Sequence, residues 1–400
     1  MTVSMPRPAH PLAVLLAVAL ATGAAGCGRA HSSSDSSPDK PKTGVKGSAN
    51  AAADLGFPTF ATKNTTRLAG ADPVADAAAV TQIVYPSTTP TTRPEAVTLV
   101  DVKDWRTALA GSVLNAAPLG APILFTNGRS IPAATAKALN ALLPTGSTAA
   151  AGVQAIRLGT LAKPGALRTK DVTGKDPFAL ARSIDAFATA ARGKPSTRVL
   201  LVTADDPAFA APAAAWAATS GDPILFTHKS KVPPDTIAAI KAHKKPKIYV
   251  LGPSSVITPD VTKQLKGLGR IIRLGGRNPV DNAVKFAMFG DGDFGWAATT
   301  PGHGLVMLTT TADPATAAAV APLSASGTYG PSLLLSSPLK LDSTVNDYLQ
   351  QLQPGFLQTA ARGFYDHAWL VGDTKAITPA LQAEIDTDLE NKKIDTKTTK

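Results

Sequence analysis

A single cysteine, Cys27, occurs in 400 residues, so the chain can form neither an intramolecular disulfide nor a thiolate–metal cluster. Stability must come from packing. Long hydrophobic runs are also scarce. The longest, PLAVLLAVALATGAAG at positions 11–26, falls short of the roughly 20 apolar residues that a membrane-spanning helix needs. Dense clusters of one charge are missing too. The 40 Lys and Arg against 29 Asp and Glu leave a formal net charge of +11, spread along the chain without the basic runs that mark nucleic-acid binders. That excess is a mild attraction for anionic polymers and surfaces. Six histidines fall into no HExxH-like metal pattern, and neither a G-x-S-x-G elbow nor a G-x-x-x-x-G-K-[ST] phosphate loop is present in the chain beyond its leader. The residues therefore assemble no catalytic set, no metal site and no cofactor site, and the expectation is a protein that is not an enzyme.

What is present begins at the N-terminus. Arg7, the apolar run 11–26 and the small residues Ala24, Ala25 and Gly26 lead into Cys27, which resembles a bacterial lipoprotein signal. The resemblance implies cleavage before Cys27 and acylation of its thiol, as with palmitate, anchoring the mature chain at the outer side of the cell membrane. Positions 28–63 are rich in Ser, Asp, Lys, Pro and Gly and read as a disordered tether.

Beyond the tether the chain repeats. APILFT at 121–126 returns as DPILFT at 222–227 and as PSLLLS at 331–336. Each copy sits at the same place in a longer pattern. Gly70-Ala71-Asp72-Pro73, Gly174-Lys175-Asp176-Pro177 and Gly276-Arg277-Asn278-Pro279 open three blocks, with Asp or Asn before Pro suited to starting a helix. A buried-strand run follows in each: AVTLVDV at 96–102, RVLLVTA at 198–204 and GLVMLTT at 304–310. An Ala-rich helix, the PILFT-type strand, an amphipathic helix and a third strand (AIRLGT, YVLGP, WLVGD) complete the block. In the second and third blocks Ile257-Thr258-Pro259 and Ile377-Thr378-Pro379 introduce a final helix. The fold class expected is α/β, three similar parallel-sheet units in tandem.

This order of parts resembles the cell wall-binding repeat 2 family of Gram-positive surface proteins, over about residues 67–389. The resemblance implies a signal at 1–26, a tether at 27–63, repeats at 64–165, 166–269 and 270–389, and a polar tail at 390–400, with the three units about a pseudo-threefold axis. It implies noncovalent attachment to anionic cell-wall polymer. Pro73, Pro177 and Pro279 stand where family repeats have an Arg-Tyr pair, so the fold is better matched than the binding chemistry. For polymer contact the sequence offers Arg67 and Arg273, each three residues before a signature glycine, because a guanidinium holds phosphate or carboxylate bidentately; the second block has Asp171 there. His228, just after PILFT, lies where open α/β sheets commonly meet ligands, and FGDGDFG at 289–295 reads as a surface loop inserted in the third block. The alternative is a small-molecule solute-binding lipoprotein of the transport type, which would show two lobes.

Overall fold

A computed structural model describes residues 59–327 and 329–394. The expected signal, Cys27, most of the tether and the last residues of the tail lie outside the described residues. Strands β1 (Thr59–Ala61) and β2 (Thr65–Leu68) lead into helix α1 (Pro73–Val84). The first block continues with β3 (Val97–Asp101), α2 (Trp105–Gly111), β4 (Ile123–Thr126), α3 (Ala133–Leu142) and β5 (Ala155–Leu158). The second runs through β6 (Thr169–Val172), α4 (Pro177–Arg192), β7 (Arg198–Thr203), the short α5 (Pro207–Ala210), α6 (Pro212–Ser220), β8 (Ile224–Thr227), α7 (Pro234–Ala242), β9 (Lys247–Leu251) and α8 (Pro259–Gln264). The third comprises β10 (Arg270–Leu274), α9 (Pro279–Met288), β11 (Gly304–Thr309), α10 (Thr316–Ser324), β12 (Ser332–Leu335), α11 (Ser343–Leu352), β13 (Gly355–Phe356), β14 (His367–Val371), α12 (Pro379–Asp388) and β15 (Lys392–Lys393). No described helix is long and apolar enough to cross a membrane.

Three four-stranded parallel arrays result, ordered β4-β3-β5-β6, β8-β7-β9-β10 and β12-β11-β14-β2, the last extended by β1 running antiparallel to β2, and β13 pairs with β15 in a small separate parallel sheet. This is three α/β units, where a solute receptor would have two lobes. The recurrent PILFT and PSLLL segments are β4, β8 and β12, and every residue of these strands is buried. Both faces of a parallel sheet are covered by helices, so continuous apolar runs, and not alternating ones, form its strands.

The units exchange strands. The sheet of each block ends on a strand from the signature of another: β6 precedes α4 yet pairs with β5, and β10 precedes α9 yet pairs with β9. The cycle is closed by β2, at the beginning of the described chain, which pairs with β14 near its end: Arg67 lies against Leu370 and Leu68 against Val371. After each exchanged strand the chain crosses to the next unit at Gly-x-Asp/Asn-Pro. Asp72, Asp176 and Asn278 are the N-caps of α1, α4 and α9, accepting from Ala75 N (2.9 Å), Phe178 N and Ala179 N (3.0 and 2.8 Å) and Asp281 N (2.9 Å), and Pro follows each at the first helical position. Proline lacks only an N–H that would have had no partner there. The glycine three residues before each proline is required by close approach. A Cβ on Gly174 or Gly276 would collide with the backbone of the following helix, and one on Gly70 with Asp76.

Between the units lie the Ala-rich helices. α6 packs on α10 and on the turn at 112–115 that continues α2, while α10 also meets α1. Residues 212–218 and all of α10 are buried, as expected of helices apolar all round; alanine lets their backbones come close. Asn115 Nδ2 donates to Ala218 O (3.2 Å) and Thr219 Oγ1 to Ser324 O (3.4 Å) across these contacts. The inserted FGDGDFG loop lies at the surface, with Gly290, Gly292 and Asp293 exposed, and is anchored inward by two side chains. Phe294 is fully buried and stacked on Tyr249, with ring centroids 3.4 Å apart, and Asp291 accepts from Lys247 Nζ (3.0 Å) and Tyr249 OH (2.8 Å). Asp291 is thus an anchor that ties the loop to β9.

Candidate functional site

In the third sheet, β11 connects through α10 to β12 on one side, and β12 returns through α11 to β14 on the other. Connections leaving in opposite directions open a crevice at the carboxyl ends of β11 and β14, the usual ligand position in open α/β sheets. A cavity of about 440 Å³ occupies it. The signature loop that follows β2 forms one wall. Gly70, Asp72, Asp76, Thr309, Asp313 and Asp373 line it.

Local backbone bonds hold each carboxylate. Besides Asp72, Asp313 Oδ1 accepts from Ala315 N (2.9 Å), Asp373 Oδ1 from Lys375 N and Ala376 N (both 2.9 Å), and Asp76 Oδ1 from Gly70 N (3.0 Å). The N–H groups of Ala376 and Lys375 hold the Asp373 carboxyl below the usual range. Asp76 behaves oppositely. Only 4% exposed, its carboxyl is pushed up to about 7 by burial, with Asp72 adding to the rise and the Gly70 N–H opposing it. Hydroxyl oxygens and carboxylates make this a hydrogen-bond-accepting, negatively charged wall. It suits hydroxyl- or ammonium-bearing ligands and opposes phosphate. Among the described residues no cluster of His, Cys, Asp and Glu is arranged to hold a metal ion.

The position of Asp76 is taken by Asn282 in the third block, whose Oδ1 accepts the same bond from Gly276 N (3.1 Å), and by Leu180 in the second. Asp76→Asn should therefore fold normally. In the wild type the unfolded chain ionises this group from about 3.8 upward while the folded one keeps its proton until about 7, so stability is lost as pH rises through that window. The variant should lack that loss and gain melting temperature on the wild type as pH is raised to 8; an unchanged gap between pH 4 and 8 would refute the assignment.

Arg67 and Arg273 stand at equivalent places, and both turn toward the neighbouring strand's end. Arg67 is 3% exposed. Its Nε and Nη2 donate to Gln382 Oε1 (3.0 and 2.8 Å), and Nη1 donates to the carbonyls of Gly372 and Asp373 (3.0 and 2.9 Å). Arg273, half-buried, donates from Nη1 to Gly252 O (2.8 Å). Burial lowers the pKa of both. In the first sheet Arg157 on β5 serves instead, bonded to Asp171 (2.7 and 2.6 Å) and Leu161 O. Arg67 thus supports the crevice wall from behind. His228 lies elsewhere, at the end of β8, with Nδ1 2.9 Å from Asp205 Oδ1.

Sequence reasoning found Asp72 as a cap but missed Asp313, Asp373 and Asp76. One signal for Asp313 was present: Asp104, Asp206 and Asp313 recur three or four residues after β3, β7 and β11, and each caps the turn that follows. Asp76 and Asp373 have no such threefold recurrence.

Comparison with solved structures returns Cwp6 from Clostridium difficile, with a TM-score of 0.63 and 14% identity over 87% of this chain and 51% of that one. Cwp8 from the same organism gives a TM-score of 0.61 and 17% identity over 85% and 53%. The likeness is one of fold, and the chain spans about half the length of these structures. No curated protein matches the sequence. The profile of the family "Cell wall binding domain 2 (CWB2)" matches residues 172–262, from the end of β6 through β7, β8 and β9 into α8. Over that segment the chain is similar to the cell wall binding domain 2 family.

Proposed function

We propose that this chain is a non-enzymatic envelope protein that attaches to the cell wall by binding wall polymer, held at the membrane's outer side by an acyl chain on Cys27. The family match over 172–262 carries the reading, and the fold repeats the matched architecture in two further units. The third-sheet crevice would take sugar hydroxyls of the polymer through its carboxylates and threonines. Anionic groups of the same polymer would fall to basic side chains outside it, with Arg273 the more accessible of the two arginines and Arg67 a positioning residue for the crevice wall. Exposed ion pairs are each worth roughly 0.2–1 kcal/mol, so retention rests on several contacts at once.

The test is co-sedimentation of the full chain with purified wall before and after chemical removal of its secondary polymers. Retention should disappear with the polymers and weaken with salt as ionic contacts are screened. Asp313→Asn keeps the cap bond but removes the charge, and should lower retention several-fold. Retention on stripped wall equal to that on intact wall refutes polymer binding. Separately, Cys27→Ala should release the protein from membranes; a variant that still fractionates with them refutes the anchor.

A further inference from the structure

The first unit lacks one structural part that the other two share. After β9 the chain makes the turn Ile257-Thr258-Pro259 into α8, and after β14 the turn Ile377-Thr378-Pro379 into α12. The first unit begins the same turn. Ala162 N donates to Gly128 O (3.0 Å), as Thr258 N does to Lys229 O (2.8 Å) and Thr378 N to Pro338 O (3.0 Å), and Leu161 is buried like Ile257 and Ile377. Then the pattern stops. Lys163-Pro164-Gly165 follows, with Gly165 at a left-handed φ of 44°, and the chain returns directly to β6. From Leu161 to Asp171 is ten residues, whereas from Ile257 to Arg273 is sixteen, so the first unit has no length for the helix.

In its sisters that helix covers an apolar face. Ile257, Val261 and Leu265, spaced by four, are fully buried, and Gln264 Oε1 accepts from Val232 N (3.0 Å). Ile377, Leu381, Ile385 and Leu389 repeat the spacing and are buried where α12 packs on α11. The corresponding face of the first unit is left as an apolar groove of about 520 Å³, lined by Ile131, Leu139, Leu143, Pro164, Leu167 and Arg93. Leu143 is 49% exposed at a left-handed φ of 46°, where the second unit has Lys244 at 55°. A bulky apolar side chain in that conformation at the surface is uncommon. Arg93 adds a polar end: its Nε is buried without a hydrogen-bond partner, and neither it nor the exposed Lys163 forms an ion pair among the described residues.

We propose that this groove is a docking site for an amphipathic helix of a partner polypeptide, one with aliphatic residues every fourth position and a carboxylate for Arg93. The occupant's chemistry is set by the two sister grooves, each filled by such a helix, and its charge by Arg93 and Lys163. Helix-in-groove binding of this kind places apolar anchors at i and i+4. The inference does not depend on wall binding.

Two labelled peptides test it against the full chain by fluorescence anisotropy. The first copies residues 377–389 (ITPALQAEIDTDL), and the second copies 257–268 (ITPDVTKQLKGL), which brings two lysines toward the basic rim. The first should bind saturably and the second several-fold more weakly. Leu143→Asp sits at an exposed position whose backbone Asp tolerates well, and should weaken the first peptide about tenfold or more, as loss of one buried leucine contact predicts. A chain in which residues 163–168 are replaced by the sequence of 259–269 should fill its own groove, melt higher and bind neither peptide. Failure of both peptides to bind, binding indifferent to Leu143→Asp, a folded graft that still binds, or displacement of peptide by purified wall polymer would each overturn the proposal.

Discussion

Replacing His243 by alanine should destabilise the protein by about 3–5 kcal/mol, the effect of leaving one member of a buried pair without its partner. His243 ends α7, and its ring is enclosed between α7 and α4. Nε2 lies 2.8 Å from Asp185 Oδ2 and Nδ1 2.8 Å from the carbonyl of Ser196. Both neighbours are acceptors, so both ring nitrogens must donate, which only the imidazolium can do. Burial and the nearby Arg192 oppose that charge. The Asp185 carboxylate and the Ser196 carbonyl outweigh them, and the histidine's pKa is raised above its ordinary 6.5. Its place at a helix C-terminus favours the same sign. A raised pKa contributes stability that is complete below 6.5 and is lost as pH climbs through the folded-state value. Urea denaturation of wild type and variant should accordingly show their widest difference below pH 6.5, narrowing at alkaline pH. A constant difference would mean that the ring acts only by filling space.

Nothing in the sequence advertised this pair, because Asp185 and His243 lie in different helices and neither residue recurs in the other blocks. The repeated parts were legible for the opposite reason. Three copies of a buried strand, each entered from proline and each ending in threonine or leucine, leave a two-faced parallel sheet as their common explanation, and Asp or Asn before Pro announced the helix starts. Connectivity was harder to read. TTRL at 65–68 and RIIRL at 270–274 lie beside their own block's helix in sequence, and only the geometry of the crossing glycine reveals that they pair with another block's sheet. The crevice was obscured by the same exchange: Asp72 and Asp76 come from the first block, Asp313 and Asp373 from the third. Arginine drew attention as the residue suited to anions, yet at Arg67 its length and five donors serve to tie β2 to the turn after β14. Burial decides between such roles, and composition does not report burial.

Strand exchange makes β2 the closing element of the whole cycle, and a chain beginning at Ala69 should lose it with large effect. Four contributions go together. Leu68 is fully buried, worth about 1.5–3 kcal/mol. The charged hydrogen bonds of Arg67 add roughly 1.5–3 kcal/mol. Gln382 loses both Arg67 and Thr65, to which its Nε2 donates at 2.9 Å. The edge of β14 is left without the parallel partner that covers its ladder. A loss of roughly 5 kcal/mol or more follows, concentrated in the third sheet, so amide exchange should accelerate most in β14 and α12 while β3, β4, β7 and β8 stay protected. In the other two units the exchanged strand comes after the third strand of its sheet in chain order, as β6 follows β5 and β10 follows β9. Moving residues 59–68 to the far end of the shortened chain, through a flexible linker after residue 394, would give the third unit the order its sisters already have, and should restore most of the lost protection. If the shortened chain is as stable as the original, or if the transplanted strand restores nothing, closure by β2 is not what holds the third sheet.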